Sequence, residues 1–457
     1  MASAFVGEAT IDGIKYNIVT KAQTAEVLAN NYSGDIVIPA TVEYEGVVCC
    51  VTAIGNEAFK DCINLSSVSI PNSVITIGEN AFAECSGLSS VNLSNSLATI
   101  GGYAFHGCGS LTSVTIPKSV SSIGGHAFYG CTSLNAVHIT DLEAWLNITI
   151  GSGSGNPLSH AHHLFLNGED VKDLVIPNSI TTLKFAAFYG CSGLNSVIIP
   201  NSVTTINKSA FCGCSGLTSV TIPNSVTSIG TYVFEGCCSL SSIVIPNSVS
   251  SIGAHAFQGC SGLTSLTIGS GVTSIGGVAF ASCNELTDVY CWAKNVPNTG
   301  GDAFQGSYIE YATLHVPSSS IDAYKSAAPW SGFKKNVALT DDDKPKPQKC
   351  DKPNIIFMGG KFRFECDTPG ATFTSHLTAD VDEHYEGSEV VLQGAEITYT
   401  LAVIASAPGF EDSEPAKVSI TLDRSDVNED GAVDVADIAT IINEMAARAR
   451  MQKEMEE

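Results

Sequence analysis

A phenylalanine recurs every 23 residues through most of this chain, and this period limits the possible folds more than any other feature. A cysteine follows three residues after most of these phenylalanines. The phenylalanines are Phe59, Phe82, Phe105, Phe128, Phe188, Phe211, Phe234, Phe257, Phe280 and, one residue late, Phe304. The cysteines are Cys62, Cys85, Cys108, Cys131, Cys191, Cys214, Cys237, Cys260 and Cys283. Self-similarity at a period of about 20–50 residues indicates a solenoid, in which like side chains stack in columns about 4.8 Å apart.

Each copy contains apolar residues at fixed positions around the phenylalanine. In one copy Leu217, Val220 and Ile222 have the spacing L-x-x-V-x-I, whose last two positions alternate with polar residues as in a strand with one buried face. Pro and Asn then predict a turn, and a second short extended piece follows at 226–230. Residues 232–236 are too few for a helix and predict one helical turn. A single copy cannot bury its apolar side, so the copies must stack.

The chain has 16 cysteines, but the spacing of the column cysteines argues against disulfide bonds among them. In a stack their Cβ vectors point the same way, which is poor disulfide geometry. We therefore interpret them as small buried apolar thiols. Cys350 and Cys366 are the one pair that we consider for a disulfide.

The repeat resembles the BspA-like leucine-rich repeat, whose consensus I-P-x-S-V-T-S-I-G-x-x-A-F-x-G-C-x-x-L-x-S-V is followed over most of residues 36–305. The resemblance implies a leucine-rich-repeat solenoid with short parallel strands. It also implies an extracellular or cell-surface location and a role in adhesion to a host or microbial surface protein or glycan.

Composition argues against two other kinds of partner. The formal net charge is −24, and the repeats carry few lysines, so there is no basic stripe for a nucleic acid or an anionic membrane. No apolar run of about 18 residues is present, so we expect no membrane span. The first residues lack the basic and apolar regions of a signal peptide.

The periodicity changes along the chain and predicts a series of regions. An Asp-Gly turn between apolar runs at 9–19 predicts a hairpin in the first region, and strict alternation from Cys350 predicts a small β-sandwich. The sandwich resembles chitobiase-C-terminal-like or fibronectin-like modules. The predicted regions are an N-terminal β cap (1–53), the solenoid (54–305) with an irregular, enlarged repeat at 139–175, a C-terminal cap (306–340), a linker (341–349), the β-sandwich (350–424) and a calcium loop with a helix (425–457). Within the enlarged repeat, the Gly/Ser-rich piece 151–155 is expected to be a surface loop.

Tyrosine and histidine recur two residues before and one residue after the column phenylalanines. We call Tyr103, His106, His126, Tyr129, Tyr189, Tyr232 and His255 the Tyr–His ridge. Stacking the copies places these residues in a row, and such residue types are enriched at recognition surfaces. The alternative is that they only cover the solenoid, because scattered exposed aromatic residues are normal.

The segment 426–437 has the spacing of a calcium loop. Side-chain oxygens fall at loop positions 1, 3, 5, 9 and 12, Gly431 permits the sharp turn at position 6, and position 7 supplies a backbone carbonyl. The predicted ligands of one calcium ion are Asp426, Asn428, Asp430, Ala432, Asp434 and Asp437. The loop resembles that of a type I dockerin, which implies a cohesin-like partner. A dockerin has two such loops and this chain shows one. The alternative is an acidic loop that binds no ion.

A third candidate is a group of histidines in the enlarged repeat. His160, His162 and His163 lie within four residues and offer three imidazoles to a metal such as zinc. No carboxylate or thiol is fixed beside them by spacing, so packing and loop roles are the competing interpretation.

These features favour a non-enzymatic binding protein, because no nucleophile elbow, phosphate-binding loop or zinc-protease motif is present. The main hypothesis is an adhesin that presents the solenoid to a surface protein or glycan. The alternative is a structural component that docks on a cohesin-like partner through its C-terminal segment. An enzyme would require a catalytic set that appears once, not residues repeated in every copy.

Overall fold

The computed structural model describes residues 5–344, 352–358, 361–366, 372–381, 385–386, 389–390, 397–406 and 412–422. The chain divides into two compact units, residues 1–345 and residues 346–457. Each unit is described by itself below.

The first unit begins with six strands that precede the regular coils. They are β1 (Val6–Ile11), β2 (Ile14–Val19), β3 (Thr24–Val27), β4 (Gly34–Val37), β5 (Thr41–Tyr44) and β6 (Val47–Ile54). β1 and β2 form the predicted antiparallel hairpin, and Asp12 and Gly13 both have positive φ, as a two-residue type I′ turn requires. β3 pairs in parallel with β6, and β6 pairs in parallel with the first coil, so this hairpin covers one end of the stack.

Two blocks of coils follow. The first block contains β7 (Leu65–Ser69), β8 (Thr76–Ile77), β9 (Ser90–Asn92), β10 (Thr99–Ile100), β11 (Ser113–Thr115), β12 (Ser122–Ile123), β13 (Ala136–Ile139), α1 (Leu142–Leu146), β14 (Thr149–Ile150), α2 (Leu158–Ala161), β15 (Leu164–Leu166) and β16 (Glu169–Asp170). The second block contains β17 (Asp173–Val175), β18 (Thr182–Leu183), β19 (Ser196–Ile198), β20 (Thr205–Ile206), β21 (Ser219–Thr221), β22 (Ser228–Ile229), β23 (Ser242–Ile245), β24 (Ser251–Ile252), β25 (Ser265–Ile268), β26 (Ser274–Ile275), β27 (Asp288–Cys291), β28 (Asn298–Thr299), β29 (Thr313–Val316), α3 (Ile321–Ser326) and β30 (Lys335–Ala338). Short 3-10 helices lie at Gly153–Gly155, Ser318–Ser320, Trp330–Gly332 and Asp341–Asp343.

Every regular coil contributes one strand to each of two parallel faces. The longer strands pair with a shift of one repeat, for example Ser196 with Ser219, and we call their surface the long-strand face. The two-residue strands pair in the same way, for example Ile229 with Ile252. The 23-residue period of the sequence is therefore the hydrogen-bonding register of the solenoid.

The phenylalanines form a continuous internal file within each block. Neighbouring rings stack with centroids 4.8 to 5.5 Å apart. All of them from Phe59 to Phe280 have no exposed surface, and Phe304 is 4% exposed. At the C-terminal end Trp330 and Phe333 meet the Phe304 ring edge-on and close the file. The prediction that like side chains lie over one another is confirmed.

The column cysteines do more than fill space, because their thiols act as hydrogen-bond donors. The Cys260 thiol donates to the Phe234 carbonyl of the preceding coil at 3.2 Å, and the same contact recurs for Cys85, Cys108, Cys131, Cys214, Cys237 and Cys283. In the last coil Ser307 takes this place and donates to Phe280 O at 2.6 Å. Burial raises the pKa of the Cys85 thiol to about 12, so it stays protonated and able to donate. All the column cysteines are free of disulfides.

The predicted helical turn is wrong. The residue two before each column phenylalanine from Phe59 to Phe280 has positive φ, for example Tyr232 at 60° and Val278 at 60°, and Gly236 two residues after Phe234 has φ of 70°. In these conformations three N–H groups of a coil point at the next coil. The N–H groups of Tyr232, Phe234 and Gly236 donate, in this order, to the carbonyl oxygens of Ala254, Ala256 and Gln258. A helical turn would direct these N–H groups along its own axis. Pairing between coils therefore decides the conformation.

The second unit consists of antiparallel strands in its described parts. They are β31 (Asn354–Met358), β32 (Lys361–Glu365), β33 (Thr372–Val381), β34 (Tyr385–Glu386), β35 (Glu389–Val390), β36 (Ile397–Ser406) and β37 (Ala416–Leu422). β36 lies between β33 and β37, and β31 pairs with β32. The strands predicted around 361–366, 398–405 and 417–422 are present. Leu401, Val403 and Ala405 alternate as buried residues on β36.

Candidate functional site

Four residues of the Tyr–His ridge form one contiguous aromatic patch on the first block. The Tyr103 ring stacks on His126 with centroids 5.1 Å apart, and the His106 ring stacks on Tyr129 at 5.5 Å. Within each coil the rings meet at an angle, 5.7 Å apart for Tyr103 and His106 and 5.9 Å for His126 and Tyr129. Tyr103 is 40% exposed and Tyr129 is 51% exposed. We call these four residues the aromatic cluster.

Polar neighbours hold both imidazoles of the aromatic cluster in place. The Nδ1 atom of His106 lies 2.9 Å from a carboxylate oxygen of Glu84, in the coil before. The Nδ1 atom of His126 lies 2.8 Å from the Ser154 hydroxyl, in the irregular repeat after it. The cluster is therefore a fixed surface whose side chains are positioned by three successive coils and the irregular repeat.

The stacking decides which parts of the rings face a partner. One face of each ring is covered by the ring of the adjacent coil and both Nδ1 atoms already have partners, so ring edges, phenol oxygens and the imidazole Nε2 atoms remain for contact. Ring edges carry the positive end of the aromatic quadrupole and attract carbonyl and carboxylate oxygens. A phenol both donates and accepts hydrogen bonds. The surface is suited to polar and backbone groups of a protein more than to stacking on a flat ligand.

The other ridge residues lie apart from the aromatic cluster. Tyr232 and His255 stack at 4.4 Å in the second block, and the Lys208 ammonium lies 5.3 Å from the Tyr232 ring centre. Burial, and next the neighbouring Cys212, raise the pKa of the Tyr189 phenol. The predicted row thus consists of a four-ring cluster, a separate pair and one half-buried tyrosine.

A family comparison matches the repeats described above. The BspA type leucine rich repeat region matches residues 52–151, 161–287 and 204–327, which together cover more than half of the chain. The chain belongs to the BspA-type leucine-rich-repeat family. The BspA-type matches skip residues 152–160, which hold the irregular Gly153–Gly155 turn and the start of α2.

Several solved structures are similar to this BspA-type chain. A leucine rich cell surface protein from Faecalibacterium prausnitzii A2-165 is 26% identical, with 64% of this chain and 96% of that chain covered and a TM-score of 0.34. A leucine-rich repeat protein from Bacteroides ovatus ATCC 8483 is 26% identical, with 73% and 100% covered and a TM-score of 0.36. The pneumococcal vaccine antigen PcpA is 20% identical, with 74% and 100% covered and a TM-score of 0.47. No curated protein matches the chain.

The three histidines of the irregular BspA-type repeat do not converge on one point. The Nε2 atom of His160 accepts the Gly130 N–H at 3.2 Å, in place of the backbone carbonyl that does so between regular coils. His162 Nδ1 lies 2.8 Å from Gly190 O, and His163 Nδ1 lies 3.4 Å from Asp170. Across the described residues, no group of three His, Cys, Asp or Glu side chains could hold a metal ion. The imidazoles of His160 and His162 thus connect coils, whereas that of His163 contacts Asp170 within the irregular repeat.

Sequence reasoning missed the side chains that join the two blocks. The Asn156 side chain is fully buried, donates to Ala186 O at 2.8 Å and accepts the Leu158 N–H at 2.9 Å. Trp145 Nε1 donates to Ala187 O at 3.2 Å. In the Gly/Ser-rich piece predicted as a surface loop, Gly151 is exposed and residues 152–154 are half-buried. Only Gly155 is buried, and a Cβ at this position would clash with Gly124 O. No motif marked these residues, because each occurs once.

The predicted calcium ligands from Asp426 to Asp437 lie outside the described residues. The same holds for Cys350, the predicted partner of Cys366. These two predictions stand as predictions. The longest α-helix among the described residues, α3, has 6 residues, and none of the described helices could span a bilayer.

Proposed function

We propose that this protein is a non-enzymatic binding protein of the cell surface or extracellular space, and that the aromatic cluster contacts a partner protein in adhesion. The observation that carries the proposal is the four-ring patch of Tyr103, His106, His126 and Tyr129, which is exposed yet fixed by its neighbours. Tyrosine offers a large contact area at a low entropic cost, and such residues are enriched at binding hot spots.

Protein is the favoured partner class over glycan, because the stacked rings cover each other's faces and present their edges. The Glu84 carboxylate beside His106 adds a negative group to the same surface, 53% exposed. A partner with exposed amide groups and basic side chains would complement these edges, phenols and the carboxylate.

The cysteines are compatible with an oxidising environment. Burial raises the pKa of the column thiols, in the case of Cys131 to about 12, and protonated thiols are poor nucleophiles. Neighbouring thiols in the file would therefore remain reduced while the coils stay folded.

A direct test is to probe an array of extracellular-matrix proteins, bacterial surface proteins and glycans with the full chain. A variant with Tyr103→Ala and Tyr129→Ala is then compared with a control variant with Tyr308→Ala and Tyr311→Ala. Tyr308 and Tyr311 are 57% and 85% exposed and lie outside the ridge. We expect the cluster variant to bind the partner protein at least about tenfold more weakly, as for a hot spot worth about 1.4 kcal/mol or more, while the control is unchanged.

Two outcomes would reject this proposal. Equal affinity of the cluster variant and the wild type, with equal melting temperatures, would exclude the cluster as the contact surface. Binding confined to glycans would exclude a protein as its partner.

A second function is favoured by the loop motif at 426–437. We propose that it binds one calcium ion and docks on a cohesin-like protein, so that the chain would be an assembly component. Calorimetry with calcium on the wild type and on Asp430→Ala tests the site, and a cohesin pull-down with and without calcium tests the partner. Recruitment of a partner through the C-terminal segment alone would favour assembly over adhesion.

A further inference from the structure

The long-strand face is interrupted between the two blocks. β15 pairs in parallel with β13 and folds back as an antiparallel hairpin with β16. β17 begins a new sheet, in which it pairs with β19, and it pairs with no other strand among the described residues. The solenoid therefore contains an open strand edge in the middle of its length.

The backbone groups of this edge point into the gap. Lys172 O accepts the Asn195 N–H at 2.7 Å, and the Ile176 N–H donates to Ile198 O at 3.1 Å, both toward β19. Successive residues of a strand direct their backbone groups to opposite sides, so those of Asp173 and Val175 face away from β19. Unpaired N–H and C=O groups in a row are a template for pairing with another strand.

A groove runs along this edge. It has a volume of about 580 Å³, within the range of ligand-binding clefts. Leu142, Leu166 and Val171 line it, and each of them is partly exposed while packing on the core. The groove therefore offers an apolar floor beside the open strand edge.

The charge of the groove selects among possible occupants. Its rim carries the carboxylates of Glu169, Asp170 and Asp173 against the single ammonium of Lys172. Glu169 is exposed, whereas Asp173 accepts the Ser196 hydroxyl and Asp170 lies near His163. An acidic rim favours a basic segment. A second copy of this chain carries a formal charge of −24 and would be repelled.

We propose that the groove between β16 and β17 binds an extended segment of a partner protein by strand addition to β17. The segment pairs with the backbone of Asp173 and Val175, places an apolar side chain on the leucine and valine floor, and directs a lysine or arginine at the acidic rim. This site is separate from the aromatic cluster and does not depend on it.

The test uses the full chain and a fluorescent peptide with the sequence of residues 217–223, a regular strand of this solenoid, extended by two lysines. Fluorescence polarisation measures its affinity. Val175→Pro removes one N–H that faces the gap, and a proline is tolerated where a strand edge faces solvent. We expect about fivefold to tenfold weaker binding to this variant, as for the loss of one backbone hydrogen bond. Val175→Thr keeps the N–H and should bind within about twofold of the wild type.

Further variants test the other parts of the proposal. Glu169→Gln should weaken binding and reduce its dependence on salt, because it removes a carboxylate from the rim. A peptide with N-methyl groups on alternate residues should lose affinity for the wild-type chain, which tests the pairing even if Val175→Pro does not fold. The Tyr103→Ala/Tyr129→Ala variant should bind the peptide normally.

Three results would overturn the proposal. One is the absence of saturable binding to the wild type up to about 1 mM peptide. Another is equal binding by Val175→Pro and Val175→Thr. The third is a concentration-dependent dimer of the wild type that Val175→Pro abolishes, since a second copy would then occupy the edge.

Discussion

At the scale of single residues, the cysteine column shows why one residue type is kept at one position. The site must fill a small buried volume and also offer a donor to the carbonyl of the phenylalanine in the coil before. The Phe234 carbonyl also accepts the N–H of Cys237 at 3.2 Å, so the Cys260 thiol adds a second hydrogen bond, of a kind worth about 0.5–1.5 kcal/mol. Ser307, which makes the shorter contact at the end of the stack, shows that a hydroxyl can replace the thiol.

Substitutions at Cys260 test this donor role. Cys260→Ala removes one of the two donors to Phe234 O and leaves a small cavity, and we expect a loss of about 1–2 kcal/mol in the free energy of unfolding. Cys260→Ser keeps a donor, so its free energy of unfolding should decrease less than that of Cys260→Ala. Urea denaturation measures both. If the serine variant were the less stable of the two, the thiol would act mainly through its apolar volume.

The left-handed position before each phenylalanine provides a second test at this scale. Val278 holds φ of 60°, which is unfavourable for a β-branched residue, whereas Asn80 occupies the equivalent position at 53° and asparagine tolerates this region. We expect Val278→Asn to raise the free energy of unfolding by up to about 1 kcal/mol and Asn80→Val to lower it by a similar amount. Thermal unfolding of both variants measures the two changes in the free energy of unfolding. Changes of the same sign in both variants would contradict the backbone explanation.

At the scale of elements, the sequence predicted what is repeated and missed what occurs once. The Phe file, the strand β21 (Ser219–Thr221) and the hairpin of β1 and β2 follow from periods and turn residues that act locally. The left-handed conformation of Tyr232 does not follow from such local signals, because hydrogen bonds to the next coil decide it. Of the candidate site, the stacking of Tyr103, His106, His126 and Tyr129 was predictable from their spacing, but the contact of Ser154 with His126 was not, because it depends on the irregular repeat.

The junction between the blocks makes stability depend on pH. Burial, and next the nearby His162, lower the pKa of His160 below its usual value of 6.5, and its Nε2 must be unprotonated to accept the Gly130 N–H. Below about pH 6.5 the unfolded chain therefore binds more protons than the folded chain, so stability falls as pH falls toward the folded pKa. We expect the melting temperature of the wild type to fall more between pH 7.5 and about 5.5 than that of His160→Gln.

The exposed neighbour His163 supplies the control for this prediction, because it lies in the same segment but its imidazole contacts Asp170 of that segment and no backbone group of another coil. His163→Gln should retain the pH dependence of the wild type. The same decrease in all three proteins would mean that His160 does not contribute to it.

At the scale of the whole molecule, stability in a solenoid is a sum of coils and of the contacts between neighbours. Here the strand ladders stop at the irregular repeat, and side chains such as Asn156 and Trp145 connect the blocks instead. Residues 1–345 nevertheless form one compact unit. The interruption creates both the setting of the aromatic cluster and the open edge of β17, so the irregular repeat is the part of the solenoid where binding surfaces are concentrated.

Successive coils stack their like side chains into closed internal files, and the accessibility of the column thiols to a reagent measures this closure. The full chain is treated with N-ethylmaleimide in native buffer and in denaturant, and labelled peptides are mapped by mass. We expect Cys50 and Cys238, which are exposed, to react in native buffer, and the column cysteines to react only after unfolding. Labelling of the column cysteines in the native protein, or disulfides between neighbouring members of the column, would contradict the stacked architecture.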